Sequence, residues 1–300
     1  LAHNNSADSP TGRGCAAFAA AIAADPILQN VISIAVYNEG ALGDELATLQ
    51  GCLESTIEMT CISSFIVGMR VPMVSALDIP FLFRDVASAR AALDSTIGAE
   101  LAAAASMQGV HILAWGESGL RHITANRPIR VPADLAGLRM RVPQSEIVLA
   151  GLQALGASAR QARFQYLYEM LHTGEFDGQE NPIGVVLSGR LYEVQKYLSL
   201  TAHIYAAYPL IAGPALLNDL SDAQRAALRA CALQATVAAR QAADAAEQQG
   251  LTRLRSVGMT VVEDVDRAAF QTASKANLAA MRERFGGDLI TRLQQTNRSL

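Results

Sequence analysis

Four side chains of this 300-residue sequence could work together chemically: Arg121, Arg141, Phe164 and Asn181. In LRMRVPQ, Leu138, Met140 and Val142 alternate with Arg139 and Arg141, the period of a strand with one face toward a core. Pro143 ends that strand, so Arg141 stands at its tip, where open α/β sheets place ligands. A guanidinium there can grip a carboxylate through two parallel hydrogen bonds, which fixes orientation as well as charge. Arg121 lies in a second strand, LRHITAN, and Asn181 in the turn FDGQENP. An asparagine beside a carboxylate can donate to one oxygen and accept from a hydroxyl. Phe164, after ARQAR, would give such a site an apolar floor. Taken singly, each has a structural reading as well, since an arginine on the outward face of a strand is commonly a solvated charge.

Signals for catalysis are absent. The chain has no GxGxxG, no P-loop, no GxSxG and no HExxH. Its five histidines (His3, His111, His122, His172, His203) are scattered, and each reads as a core or surface residue. None has a metal-ligating partner at the required spacing. Cys15, Cys52, Cys61 and Cys231 form no CxxC. Their apolar contexts suit buried thiols, and a disulfide between elements stays open. The pattern is that of a protein that binds rather than reacts, with no metal and no cofactor.

The bulk properties agree. A net charge of −4 with no basic face argues against nucleic acid. Apolar runs stop well short of the roughly 18 residues of a membrane span. With 51% hydrophobic residues, the chain can fill two modest α/β cores.

The elements that must hold these side chains follow from the pattern. Strand LAHN, a helix through GRGCAAFAAAIAAD, strand VISIAVY, a helix through DELATLQGCLES and strand IEMTCI make βαβαβ, the mark of a doubly wound sheet. LDIPFLF leads into one helix over SARAALDSTIGAELAAAASMQG and then strand VHILAWG. A second unit opens with strand LRHITAN, a proline-rich link and strand LRMRVPQ. It continues with helix SEIVLAGLQALG, the segment ARQARF, helix YLYEMLHTG, the short strand EFDGQEN and a helix ending near VQKY. YLSLTAHIYAAYPLIAG reads as strands passing between the units. An alanine-rich helix over about 222–257 has no sustained a/d leucines, so it fits a helix lying across other structure better than a coiled coil. A short strand, MTVVE, and terminal helices follow.

These residues as a set resemble the solute-binding proteins of tripartite ATP-independent periplasmic (TRAP) transporters, the family of the C4-dicarboxylate and sialic acid receptors. The matching segments are LAHN, YNEGALGDE, LDIPFLF, the GLR of residues 119–121, GLRMRVPQS, FDGQENP and LYEVQKYLSLTAHIY. The resemblance implies an α/β periplasmic binding protein fold of two lobes, a mixed sheet in each, a long helix spanning both, and hinge closure around an organic acid. The first lobe would take residues 1–118 and about 207–245. The second would take 119–206 and about 252–285, with a C-terminal helix to 300. It also implies that Arg141 takes the carboxylate in a bidentate pair, that Arg121 and Asn181 support it, and that Phe164 packs on the ligand. Asn4, Glu45, Ser63 and Ser64 would face them from the first lobe.

Ser63 stands where the sialic acid receptor has an acidic residue, which argues against that ligand. Glu45 and the two serines favour a hydroxylated acid. The implied protein is an exported monomer with its signal upstream of Leu1, not embedded in the membrane, and its partners are a small carboxylate and the TRAP membrane permease. The alternative is a doubly wound α/β enzyme acting on a small organic acid.

Overall fold

The computed structural model describes residues 1–296. Two compact units emerge. The first comprises Leu1–Val74, Leu93–Gly119 and Ala207–Ala246, the second Ser75–Ala92, Leu120–Ala206 and Glu247–Leu300. Residues 75–92, which the sequence reading leaves in the first lobe, thus cluster with the second unit. The described residues form seven strands: β1 (Met59–Cys61), β2 (His111–Ala125), β3 (Arg139–Val142), β4 (Ser158–Gln161), β5 (Gly178–Pro182), β6 (Tyr197–Ala212) and β7 (Thr260–Val262).

In the first unit, β1 pairs antiparallel with the end of β6, from Met59↔Ala212 to Cys61↔Leu210. The expected βαβαβ is only partly a sheet. LAHN and VISIAVY form no ladder; Ala2 makes isolated parallel bridges to Tyr37 and Thr60. Two local causes are visible. The helix Pro10–Ala24, capped by Ser9, begins so early that little chain remains for a strand. Residues 31–37 are half or fully exposed throughout, so no buried face holds them in register. The helix Glu45–Leu53 starts where Asp44 caps it. Helix Ser64–Arg70 and a 3₁₀ turn, Pro72–Asp78, follow β1 where the sequence reading has no element.

The single helix expected over SARAALDSTIGAELAAAASMQG is two, Val86–Asp94 and Thr96–Ser106. Ser95 breaks it by accepting from Ile97 N with its side chain, since serine competes well for free amides at helix starts. Conversely, VHILAWG and LRHITAN fuse into the single 15-residue β2. Gly119, at φ +101°, lets that strand continue through a conformation other residues resist. YLSLTAHIYAAYPLIAG is likewise one strand, β6.

In the second unit the order is β7, β6, β2, β5, β3, β4. β2 and β5 run antiparallel, whereas β3 is parallel to both β4 and β5. Beneath them Leu167, Phe176, Ile183, Leu198, Leu254 and Met259 form a closed apolar cluster. Gly178, at the start of β5, is required sterically: a Cβ there would lie 2.5 Å from Thr124 O and 2.8 Å from Met140 Sδ. Three strands can therefore draw together at this point. The long helix spans Asp222–Ser256, as its alanine-rich pattern predicts, and contributes to both units. Arg253 and Arg255 in its last turn suit the negative end of the helix dipole.

Candidate functional site

The register of the second unit sorts the candidate residues by face. Directly paired residues share a face and neighbours alternate. Arg141 pairs with Gln179, and His122 with Asn181, so Arg141, Gln179, Asn181, His122 and Thr124 belong to one face. Arg121 pairs with Pro182 and Ile123 with Glu180, which puts Arg121 and Glu180 on the other.

Arg141 is 3% exposed. Its outward parity therefore does not make it a solvated charge. Nε donates to Ala162 O at 2.9 Å, which fixes the plane of the guanidinium. Arg139, with the same parity, is exposed and bonded to the Asp177 carboxylate through Nε at 3.0 Å and Nη2 at 2.6 Å. That pairing holds the Asp177 carboxyl below its usual range. The two arginines of RMR thus differ: Arg139 is an exposed charge paired with Asp177, whereas Arg141 is buried.

Arg121 is buried against Glu180, with Nε 2.5 Å from Oε2 and Nη2 2.8 Å from Oε1, and Nη2 also donates to Glu180 O at 2.7 Å. Burial pushes the Glu180 carboxyl upward, but the Arg121 charge and the contact with His203 outweigh it and hold the group at about 2. His203 lies with Nε2 3.3 Å from Glu180 Oε2, an ion-pair distance without hydrogen-bond geometry. Its Nδ1 is 2.8 Å from Thr201 Oγ1. Burial keeps this imidazole below its usual range, so it is neutral at neutral pH. Glu180 carries no role in the sequence analysis, although it sits beside Asn181 in FDGQENP, and His203 is read there only as a core or surface histidine.

Asn181, 4% exposed, donates Nδ2 to Gln179 Oε1 at 2.5 Å. Behind it runs a buried line of polar side chains. Gln179 Nε2 donates to Thr124 Oγ1 at 2.9 Å, and Thr124 Oγ1 donates to Gln195 Oε1 at 3.0 Å. Gln195 Nε2 ends the line on two backbone carbonyls. None of Thr124, Gln179 and Gln195 was singled out by sequence. The available signal was parity, because Gln179 and Asn181 alternate with Glu180 and must share a face. His122 Nδ1 accepts from Ala202 N at 3.1 Å, which leaves Nε2 to donate to Glu247 Oε1 at 3.1 Å. Phe164 is 37% exposed and opens a short 3₁₀ turn, Phe164–Tyr166, as an accessible aromatic surface.

In the first unit Asn4, Glu45, Ser63 and Ser64 gather around two helix starts. Asn4 Nδ2 donates to Gly43 O at 3.3 Å, and among the described residues its buried Oδ1 has no hydrogen-bond partner. Glu45 opens the helix Glu45–Leu53, where a negative charge meets the positive end of the dipole. Its carboxylate accepts from Ser63 N at 3.2 Å and from Ser63 Oγ at 2.5 Å. Ser63 and Ser64 are both buried at the start of helix Ser64–Arg70. All four cysteines are buried free thiols. Among the described residues no group of His, Cys, Asp or Glu could hold a metal, and no helix is long and apolar enough to cross a membrane.

A buried guanidinium near the end of β3, with the amides of Gln179 and Asn181 on the same face, can hold a small anion. Comparison with known proteins sharpens the class. The chain belongs to the bacterial extracellular solute-binding protein family 7 (DctP), whose pattern matches residues 1–284. It is 34% identical over 243 residues to the 2,3-diketo-L-gulonate-binding periplasmic protein YiaO of Escherichia coli K12, covering 81% of this chain and 74% of that one. A TRAP periplasmic solute-binding protein from Polaromonas sp. JS666, bound to D-erythronate, superposes with a TM-score of 0.95 at 34% identity, covering 98% and 96% of the two chains. The sugar acid binding protein DctPAm of Advenella mimigardefordensis, in complex with galactonate, gives 0.93 at 25% identity, covering 99% and 96%. The fold is that of the TRAP periplasmic solute-binding proteins.

Proposed function

We propose that this chain is a periplasmic receptor that captures a small hydroxylated carboxylate and delivers it, chemically unchanged, to a TRAP membrane permease. The observation that carries this reading is Arg141: a buried guanidinium at the tip of β3, its plane fixed by Ala162 O. A side chain so held is prepared for a bidentate carboxylate contact, with little ordering left to do on binding. Asn181 lies on the same face and Phe164 offers apolar surface. Arg121, engaged by Glu180, acts as support for β5 behind Asn181. In the first unit, the unpartnered Asn4 Oδ1 calls for a donor, which a ligand hydroxyl supplies. Ser63 and Ser64 are assigned, within that unit, to hydrogen bonding with ligand hydroxyls, with Glu45 orienting Ser63. The named ligands of the relatives, D-erythronate and galactonate, are acids of this kind.

A thermal-shift screen over organic acids tests the proposal. An acid at 100 times its Kd should stabilise the protein by about 2.7 kcal/mol. Arg141→Ala should abolish the shift, and the bound acid should be recovered intact on denaturation. Recovery of a converted acid would favour a doubly wound enzyme. A gene lacking an export signal upstream of this chain would count against the periplasmic assignment.

A further inference from the structure

The polar line behind Asn181 has a direction, set by groups that cannot exchange roles. Backbone carbonyls only accept. The Gln195 amide stands against two of them, Val194 O at 3.1 Å and Asp177 O at 3.5 Å. The atom facing them is therefore nitrogen, and Oε1 points the other way. Oε1 can only receive, so the Thr124 hydroxyl donates to it. A hydroxyl has one proton. With that proton committed, Thr124 must accept from its next partner, and Gln179 Nε2 donates. Gln179 Oε1 in turn receives the Asn181 amide nitrogen. Thr124 and Gln179 are fully buried and Gln195 nearly so, so bulk water cannot substitute for a broken link. Reversing the line would turn Gln195 Oε1 onto two carbonyl oxygens, acceptor against acceptors.

The consequence appears at the open end. Asn181 is anchored through nitrogen, and among the described residues no donor reaches its Oδ1. Arg141 is the register partner of Gln179, two residues from Asn181 on the same face. With strands about 4.8 Å apart and a rise of about 3.3 Å per residue, such diagonal neighbours lie roughly 8 Å apart. A carboxylate held by Arg141 therefore brings the substituent on its own carbon 2 toward Asn181.

We infer that Gln195, Thr124 and Gln179 are positioning residues that lock Asn181 with its carbonyl oxygen toward the ligand, so that the site selects acids bearing a hydroxyl on carbon 2. The inference rests on Arg141 being the carboxylate clamp. A 2-hydroxyl donates to Oδ1. A 2-oxo acid sets a second acceptor against it, and a 2-deoxy acid leaves it unpaired in a site from which water has been expelled. Sites built to hydrogen-bond a hydroxyl discriminate strongly for this reason.

Calorimetry on the intact chain tests it with D-erythronate, its 2-deoxy counterpart 3,4-dihydroxybutanoate, and the 2-oxo acid 2,3-diketo-L-gulonate; galactonate and 2-deoxygalactonate form a second matched pair. Wild type should prefer each 2-hydroxy acid over its 2-deoxy partner by about tenfold or more, and bind the 2-oxo acid more weakly still. Thr124→Val keeps the side-chain shape but removes the relay hydroxyl, and should collapse that preference toward parity; Thr124→Ser should restore it. If Thr124→Val does not fold, the wild-type ratios still decide. Affinities within twofold across both wild-type pairs overturn the inference while leaving the clamp intact. A preference unmoved in folded Thr124→Val overturns the relay. If affinity survives unchanged in Arg141→Ala, the clamp itself fails and this inference with it.

Discussion

Replacing Glu180 by glutamine isolates the charge beneath the candidate site. In wild type the Arg121–Glu180 pair is almost wholly buried, at 3% and 0% side-chain exposure. Glutamine keeps the shape but leaves the Arg121 charge without its buried partner, a loss that costs about 3–5 kcal/mol at neutral pH. The pH dependence is the sharper test. The Glu180 carboxyl stands at about 2 in the fold against 4.5 ordinarily. That displacement corresponds to on the order of 3 kcal/mol of folding stability. Because the folded value is the lower one, the contribution is complete above 4.5 and is lost as pH falls toward 2. His203 is also lowered in the fold, from 6.5, so its own contribution begins to fade at a higher pH. Urea unfolding of wild type and Glu180→Gln in steps from pH 7 to pH 2.5 should give a stability gap that narrows by most of that 3 kcal/mol, chiefly below pH 5. A gap that stays constant over the whole range would refute the assignment of Glu180 as a buried, ionised partner of Arg121.

Three further outcomes are expected. Arg141→Lys should fold normally yet bind its acid at least about 30-fold more weakly, since lysine keeps the charge but loses the planar two-pronged contact; near-normal affinity in calorimetry would remove Arg141 as the clamp. Arg139→Lys, two residues away on an exposed pair with Asp177, should leave affinity unchanged, and a large loss would mean the two arginines have been assigned in the wrong order. Gly178→Ala should lower stability by about 1–3 kcal/mol in urea, because its Cβ meets Thr124 O and Met140 Sδ inside contact distance; it should also weaken binding, since β2 and β5 must part where Thr124 meets Gln179.

Much of the architecture was legible because hydrophobic period and caps agree with each other. LRMRV alternates and becomes β3; Ser145 caps the helix Glu146–Ala154 just where SEIVLAGLQALG predicts. The misreadings cluster where a local cue has two outcomes. Gly119 looked like a boundary between two strands, but its positive φ carries β2 straight on. Ser95 looked like an interior helix residue, but its hydroxyl caps a new helix. LAHN and VISIAVY have strand composition, yet pairing depends on partners that composition does not reveal.

At the candidate site the residue types were legible and their roles less so. Arg141 stood out because an arginine at a strand tip has few uses. Arg121, the same residue type on β2, carries no such mark in the sequence, and it is the pairing Arg121↔Pro182 that assigns it to the face of Glu180. A shift of one residue in that register would have exchanged the two faces, and no local feature of LRHITAN sets it. The glutamines are a harder case. An amide is donor and acceptor at once, so Gln179 and Gln195 carry no polarity of their own in the sequence. Polarity enters only when Gln195 meets two backbone carbonyls, and it passes through Thr124 to Asn181 by exclusion at each step. Two chains with the same arginine, asparagine and aromatic residues could therefore present opposite ends of the asparagine to a ligand. Carboxylate capture follows from residue types a sequence displays, whereas preference at carbon 2 follows from contacts among residues as far apart as 124 and 195.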